Sequence, residues 1–186
     1  SKMKLIVVES PSKAKTLKGY LTSDYEVVAS VGHFRDLPKS GMSIDEKNDF
    51  NVDKWEIDKE KINPVLQLIK KADEILLAPD PDREGEAISK HLYDILDKAK
   101  LLKDKKTYRV AFNEITEKAV LSAMENPREI SNDLWNAYLA RRTLDYLMGY
   151  DISEFLWKKV SRYARGGRVQ SPALRLIVER ENLIKA

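Results

Sequence analysis

The chain has 186 residues, no cysteine, 42% hydrophobic residues and a formal net charge of +3. This length and apolar content allow one domain plus part of another, and the lack of cysteine excludes disulfides and thiolate metal sites. No apolar run approaches the roughly 20 residues of a membrane span and no signal peptide precedes Lys4, so we expect a reducing, cytoplasmic setting and no membrane partner.

Strand and helix signals alternate from the start of the chain. Residues 5–8 form an unbroken apolar run, which is typical of a strand buried on both faces. Ser10 can cap a helix and Pro11 suits its first position, so a helix should follow this strand directly. A second strand is predicted at residues 26–30.

A polar stretch at residues 39–59 then interrupts the alternation. It has no period of its own, which predicts a long loop that is either mobile or beside the substrate, anchored by Trp55. The alternation resumes with an amphipathic helix at residues 62–69, a strand at 74–78 and a helical stripe at 87–96.

The last strand of this half is predicted at residues 108–112, and Thr116 opens the helix that follows. Such alternation with short junctions is typical of an α/β fold with a largely parallel, Rossmann-like sheet covered by helices on both faces. Ligands bind such sheets at the carboxyl ends of the strands. Glu9, His33 and the turn at 80–84 all follow strands, so we expect them to meet in one crevice.

Only helices are predicted beyond about residue 126. They lie at residues 134–148, 152–160 and 171–185. Pro127 and the polar residues after it place a boundary near residue 130, which divides the chain into a first domain at 1–130 and a partial all-α domain at 131–186.

The carboxyl-terminal part is basic. Residues 151–186 contain eight Lys or Arg and four Asp or Glu, and three aromatic residues, Tyr150, Trp157 and Tyr163, lie beside or among them. This composition is expected of a surface that follows a phosphate backbone and stacks on bases. A solvated helix face would have the same composition, so both interpretations remain open at this point.

The motif DPDRE at residues 80–84 carries an acidic residue at every second position behind a predicted strand. The prolines keep the turn extended, so Asp80 and Asp82 project to one side and can share a hard cation such as Mg²⁺. A calcium-binding EF-hand fails because its twelfth position is His91 where a Glu is needed. A solvated acidic turn that caps the next helix remains an alternative.

Several segments together resemble the type IA DNA topoisomerases, and their sequences are most similar to those of the bacterial members. The first three segments resemble the Toprim module of that family, at residues 8–16, 30–38 and 80–87. Further matching segments follow in the same order, at residues 112–116, 140–145, 149–150 and 167–171. The resemblance implies an enzyme that breaks, passes and rejoins single-stranded DNA without ATP and so relaxes negative supercoils.

The resemblance also implies roles for individual residues. Glu9 would donate a proton to the departing 3′-oxygen, and Lys13 and Arg109 would offset charge on the scissile phosphate. The alternatives are a solvated helix lysine for Lys13 and a strand-edge charge for Arg109. The implied ligands of the magnesium cofactor are Glu9, Asp80, Asp82 and Glu84.

A third group of residues would contact single-stranded DNA by the same resemblance. It comprises His33, Arg141, Arg142, Asp145, Tyr150, Trp157, Arg165, Gly166, Gly167, Arg168, Val169 and Gln170. Arg141 and Asp145 are four residues apart on one helix, so a plain ion pair is their alternative. Trp157 is equally compatible with a core position, and His91 is expected to be structural.

The tyrosine nucleophile of the family should lie in a Tyr-x-Arg-Thr segment, which this chain does not contain. Tyr163 is rejected because Gly166 and Gly167 stand where the Thr should be. We therefore expect an amino-terminal fragment, monomeric, nucleoid-associated and unable to relax DNA alone. A freestanding Toprim hydrolase and a non-catalytic single-stranded DNA-binding module remain as alternatives.

Overall fold

The computed structural model describes residues 2–37, 44–45, 51–52 and 55–148. The strands within these residues are β1 (Lys4–Val8), β2 (Tyr25–Ala29), β3 (Arg35–Asp36), β4 (Ile44–Asp45), β5 (Asn51–Val52), β6 (Glu56–Ile57), β7 (Glu74–Leu77) and β8 (Lys106–Arg109). The helices are α1 (Pro11–Tyr20), α2 (Lys59–Lys71), α3 (Arg83–Lys98), α4 (Glu117–Glu125) and α5 (Asn132–Met148).

Four strands form one sheet in the order β2–β1–β7–β8. Ile6 of β1 lies beside Val27 of β2 and Leu76 of β7, and Leu77 of β7 lies beside Arg109 of β8. All three pairs are parallel, since a helix returns the chain to the start of the sheet between the strands. This topology confirms the predicted α/β fold class.

The sheet is buried on both faces. Successive residues of a strand point to opposite faces, and both Leu5 and Ile6 of β1 are buried. Leu5 belongs to a buried cluster that includes Ile69 of α2 and Leu92 of α3. Ile6 belongs to a second buried cluster, which includes Leu17 of α1 and Val120 of α4. Helices therefore cover both faces, as the unbroken apolar run of β1 predicts.

The helix after β1 begins where the sequence predicts. The Ser10 hydroxyl accepts a hydrogen bond from the Lys13 amide at 3.2 Å, and Pro11 occupies the first turn. Thr116 caps α4 in the same way, accepting from the Ala119 amide at 3.2 Å. These caps set the points at which the chain leaves the sheet.

The predicted strand at residues 108–112 is wrong at its end, because β8 stops at Arg109. The Val110 amide still donates to the Leu77 carbonyl at 2.9 Å, but β7 itself ends at Leu77. On its other side, Arg109 exchanges two backbone hydrogen bonds with Arg128 in an antiparallel bridge. The strand pairing therefore ends with β7, before the end of the apolar segment at residues 110–112.

The expectation of an irregular loop at residues 39–59 is wrong for the described part of that stretch. β4 and β5 pair antiparallel, with Ile44 beside Val52, and β6 precedes α2. Strands of two residues are too short to show alternation, which is why the sequence gives no sign of them.

The chain divides into two compact units, namely Ser1–Asp36 with Ile57–Asn132, and Leu37–Glu56 with Asp133–Ala186. In the second unit the Trp135 ring lies 6.2 Å from the Trp55 ring and stacks on Tyr138 at 5.7 Å, measured between centroids. Trp55 is thus anchored, as expected, whereas the predicted domains 1–130 and 131–186 stay a prediction.

The predicted helices at residues 152–160 and 171–185 lie outside the described residues. Within the described ranges, no helix is long and apolar enough to cross a membrane.

Truncating the core beneath the sheet should destabilise the protein. Leu5 is fully buried, so Leu5→Ala should lower the free energy of unfolding by about 2–5 kcal/mol. The matched control is Leu121→Ala on α4, where the side chain is 46% exposed and the change should stay within about 0.5 kcal/mol. Urea denaturation of both variants measures the difference, and equal losses would contradict the described core.

Candidate active site

Side chains with reactive or charged groups gather where the parallel strands end. Glu9 follows β1, His33 lies beyond β2, Asp80 lies beyond β7 and Arg109 ends β8. This is the edge of the sheet at which an α/β fold places ligands. The segments that the sequence predicts to converge therefore lie along one edge.

Lys13 lies at the centre of this edge and is only 3% exposed. Its ammonium donates to the Glu9 carboxylate at 3.2 and 3.4 Å, to Asp80 Oδ1 at 3.1 Å and to the Ala78 carbonyl at 2.9 Å. Its Nζ also lies 4.7 Å from the centroid of the Phe112 ring. The expectation of a solvated helix lysine is wrong, because this ammonium joins two carboxylates from different strands.

The acidic turn after β7 is fixed to the start of α3. Asp82 caps the helix, since its Oδ1 accepts a hydrogen bond from the Gly85 amide at 2.7 Å. Gly85 packs so closely that an added Cβ would lie 1.9 Å from the Asp80 carbonyl oxygen. One oxygen of Asp82 is therefore committed to the cap, as the acidic-turn alternative predicts, and the other is left for a ligand.

Glu84 contacts a histidine from a different strand end. His33 Nε2 lies 2.9 Å from Glu84 Oε2. His33 follows a turn in which Val31 and Gly32 both have positive φ, 52° and 102°, a conformation that costs a β-branched residue energy. The turn brings the histidine ring over the acidic segment.

His91 lies below this pair and is completely buried. Its Nδ1 accepts a hydrogen bond from Arg35 Nε at 2.7 Å, and Arg35 also pairs with Asp94 at 3.1 Å. Burial, followed by the charges of Arg35 and His33, lowers the pKa of His91 to about 2. The ring is neutral at physiological pH, which fits the expected structural role.

Arg109 is buried completely, so it is not the strand-edge charge that the sequence allows. Its Nε donates to Glu86 Oε1 at 3.0 Å, and its other nitrogens donate to backbone carbonyls of the acidic turn. Burial lowers the pKa of Arg109, while Glu86 acts in the opposite direction. The Arg109 guanidinium has no exposed surface, and its expected role in offsetting charge on the scissile phosphate stays a prediction.

Glu86 is equally buried and is held by three donors. They are Arg109, Arg128 and the amide of Ser131 at 2.9 Å. Burial raises the pKa of Glu86, but the hydrogen bonds from Arg128 and Ser131 and the two guanidinium charges outweigh it and leave the pKa below its usual range. Glu86 is therefore a buried carboxylate.

The burial of Glu86 is not predicted from the sequence. Glu86 lies on the opposite side of α3 from the predicted apolar stripe, which includes Ile88, Leu92 and Ile95. It is buried because the start of α3 is enclosed on several sides, where residues 85–89 are all buried. Nothing in the sequence around Arg128 identifies it as one of the partners.

The proposed magnesium ligands do not form a closed cage. Among the described residues, no three His, Asp or Glu side chains come close enough to hold a metal ion. Asp80, Asp82 and Glu84 are exposed and each commits one oxygen to the contacts above. Magnesium commonly uses one or two carboxylates plus phosphate oxygens, so this donor set fits an ion that is held jointly with a phosphate.

The residues expected to contact DNA are only partly described. Arg141 and Asp145 of α5 form an exposed ion pair at 3.4 Å, as their spacing predicts. Arg142 is half-buried on the same helix. Tyr150, Trp157 and the segment 165–170 lie outside the described residues.

Comparison with known proteins gives two family matches. A Toprim domain model matches residues 4–115, and a DNA topoisomerase model matches residues 129–186. DNA topoisomerase 1 of Zymomonas mobilis is 50% identical over 98% of this chain, and that of Xylella fastidiosa is 52% identical over 98%. The matched regions are 15% and 23% of those relatives.

A solved structure is also similar. Full-length topoisomerase I from Thermotoga maritima superposes with a TM-score of 0.66 at 44% identity, covering 82% of this chain and 26% of that chain. The chain thus spans about a quarter or less of the length of these proteins.

Adding a methyl group at Gly85 should displace the acidic turn. Because the Cβ would collide with the Asp80 carbonyl, Gly85→Ala should lower the free energy of unfolding by about 1–3 kcal/mol. Gly19→Ala on α1 is the control, since a Cβ there meets nothing within 4 Å and alanine favours the helix by up to about 1 kcal/mol. Chemical denaturation compares them, and a neutral Gly85→Ala would refute the close contact.

Removing His91 should flatten the pH dependence of stability. The native ring, with a pKa of about 2, stays neutral, whereas the unfolded chain takes up a proton below its ordinary pKa of 6.5. As pH falls below that value, this group costs the wild type about 1.4 kcal/mol of stability per pH unit. His91→Asn keeps an acceptor for Arg35 without the proton uptake. Urea titrations between about pH 5 and 6.5 test this, and parallel profiles would contradict it.

Proposed function

We propose that this chain, which belongs to the Toprim family, supplies the acidic half of a type IA break-and-rejoin site like that of DNA topoisomerases. The observation that carries this proposal is the Lys13 ammonium, which unites Glu9 and Asp80 at the ends of neighbouring strands. The Glu9 and Asp80 carboxylates, which follow the neighbouring strands β1 and β7, then act on one phosphodiester.

In the proposed reaction a tyrosine hydroxyl, from a segment outside this chain, attacks the phosphorus of one DNA strand and loses its proton to water. The bond from phosphorus to the 3′-oxygen breaks, and that oxygen takes a proton from Glu9. Rejoining reverses these steps, with Glu9 accepting the proton. No ATP is consumed, because the phosphotyrosine bond keeps the energy of the phosphodiester.

Lys13 makes the site acceptable to an anion. Glu9 and Asp80 would otherwise present two negative charges to a phosphate, and the buried ammonium between them cancels one. Because Lys13 is 3% exposed, it acts from behind the carboxylates. This differs from a lysine that reaches out to the phosphate.

Bound Mg²⁺ would neutralise charge on the phosphate and order the broken strand for rejoining. Asp80 and Asp82 would hold it through the oxygens that Lys13 and the helix cap leave available, with Glu84 completing the site. Lys13 engages both oxygens of Glu9, so we assign the ion to the other carboxylates, and Glu9 acts on the 3′-oxygen in its protonated form.

Single-stranded DNA within negatively supercoiled DNA is the proposed substrate, which would place the protein with the nucleoid in the cytoplasm. His33 lies at the same edge as the acidic turn, and Arg141, Arg142 and Asp145 follow on α5. We propose that each of these groups contacts single-stranded DNA, and that this monomeric chain does not relax DNA alone.

Restoring the missing tyrosine in trans tests the function. The chain is mixed with a separately produced segment of a DNA topoisomerase 1 that carries the tyrosine, a labelled single-stranded oligonucleotide and Mg²⁺. We expect a covalent adduct between DNA and that segment only when both parts are present. Asp80→Asn with Asp82→Asn should abolish the metal-dependent rejoining.

The matched control is Asp97→Asn in the last turn of α3 with Asp104→Asn beyond it, which removes the same charge far from the acidic turn and should leave the reaction intact. Hydrolysed DNA without an adduct would indicate a freestanding hydrolase instead. Retained but uncleaved DNA would indicate a binding module.

A further inference from the structure

Glu86 is the acidic residue of the DPDREGE segment that the proposed reaction does not use. It lies in the first turn of α3 with no exposed surface. Because it cannot reach DNA or a shared ion from that position, its retention in the core needs another explanation. Burying a carboxylate is costly unless it is fully paired.

The main partner of Glu86 extends the contact to the acidic turn. Arg109 Nη1 donates to the carbonyls of Leu77 at 3.0 Å and Pro79 at 2.6 Å, and Nη2 donates to the Asp80 carbonyl at 2.6 Å. The planar guanidinium thus spans the backbone from the end of β7 to the first acidic residue.

The turn needs such an external donor. Pro79 and Pro81 have no amide hydrogen, so the turn can form few backbone hydrogen bonds of its own. On the side that faces α3, the turn packs closely against the helix, with the Asp80 carbonyl next to Gly85. Arg109 satisfies the carbonyls on the buried side, and only a rigid fork can reach several of them together.

We propose that Glu86 and Arg109 are positioning residues that set the direction of the Asp80 carboxylate. Glu86 orients the guanidinium, the guanidinium fixes the Asp80 backbone, and the Asp80 side chain then meets Lys13 at 3.1 Å. The consequence for metal and DNA rests on the proposed function. The positioning itself does not.

Glu86 also ties the turn to the chain that leads into α5. The Arg128 guanidinium and the Ser131 amide both donate to its carboxylate. A single buried carboxylate therefore links residues 128–131, β8 and the acidic turn. A purely structural ion pair would stabilise the fold as a whole, whereas a positioning pair acts most strongly on the turn.

Amide hydrogen exchange of the 186-residue chain separates these two roles. Arg109→Lys keeps the charge next to Glu86 but loses the fork, and Glu86→Gln keeps the shape but not the charge. In both variants we expect exchange at Asp80 and Gly85 to accelerate about tenfold or more relative to the amides of β1, because Arg109→Lys removes the guanidinium and Glu86→Gln removes the charge that orients it. The Mg²⁺ affinity of both variants, measured by calorimetry, should also fall.

Ile95→Ala is the control, since Ile95 is buried on the same helix, far from the turn. It should destabilise the fold without a selective effect on Asp80 or Gly85. Arg109→Lys and Glu86→Gln behaving like this control would overturn the proposal, and so would unfolding of both. If only one of the two variants unfolds, the exchange pattern of the folded variant tests the proposal. Exchange needs neither DNA nor metal, so selective exchange together with a failed trans reaction would reject the function and keep the positioning role.

Discussion

The buried ammonium of Lys13 is the contact on which the rest of the site depends. A buried charge that loses its partners is left without compensation, which destabilises the fold. Lys13 therefore requires Glu9, Asp80 and the Ala78 carbonyl to stay together. It can meet them only because the Ser10 cap starts α1 directly after β1, and because β1 and β7 are neighbours in the sheet.

Around this contact the molecule devotes its charged side chains to the backbone of one turn. Asp82 caps α3, Arg109 binds the carbonyls behind the turn, and Glu86 fixes Arg109. The exposed carboxylate oxygens are then presented by a support that has little freedom to move, which is the condition for positioning a phosphate. In the proposed function the exposed acids serve the ligand and the buried acid serves the support, and this division would account for the number of acids in one short segment.

Much of the fold could be predicted because its signals are local. The unbroken apolar run of β1, the Ser10 and Pro11 cap and the stripe of α3 each follow from neighbouring residues, and parallel topology brings Glu9 and Asp80 to one edge. Pairing between distant residues could not be predicted. No local pattern shows that Arg128 reaches Glu86 or that Lys13 turns inward, because such contacts depend on tertiary distances and on the desolvation of both groups.

The central claim is that Lys13 joins Glu9 and Asp80 into one site. It is tested most directly by nuclear magnetic resonance of the lysine side chains in nitrogen-15-labelled protein at neutral pH. A buried, hydrogen-bonded ammonium exchanges its protons slowly, so Lys13 should give a distinct signal that broadens or disappears in Asp80→Asn. A Lys13 ammonium that exchanges as fast as the exposed lysines, with no response to Asp80→Asn, would contradict the account.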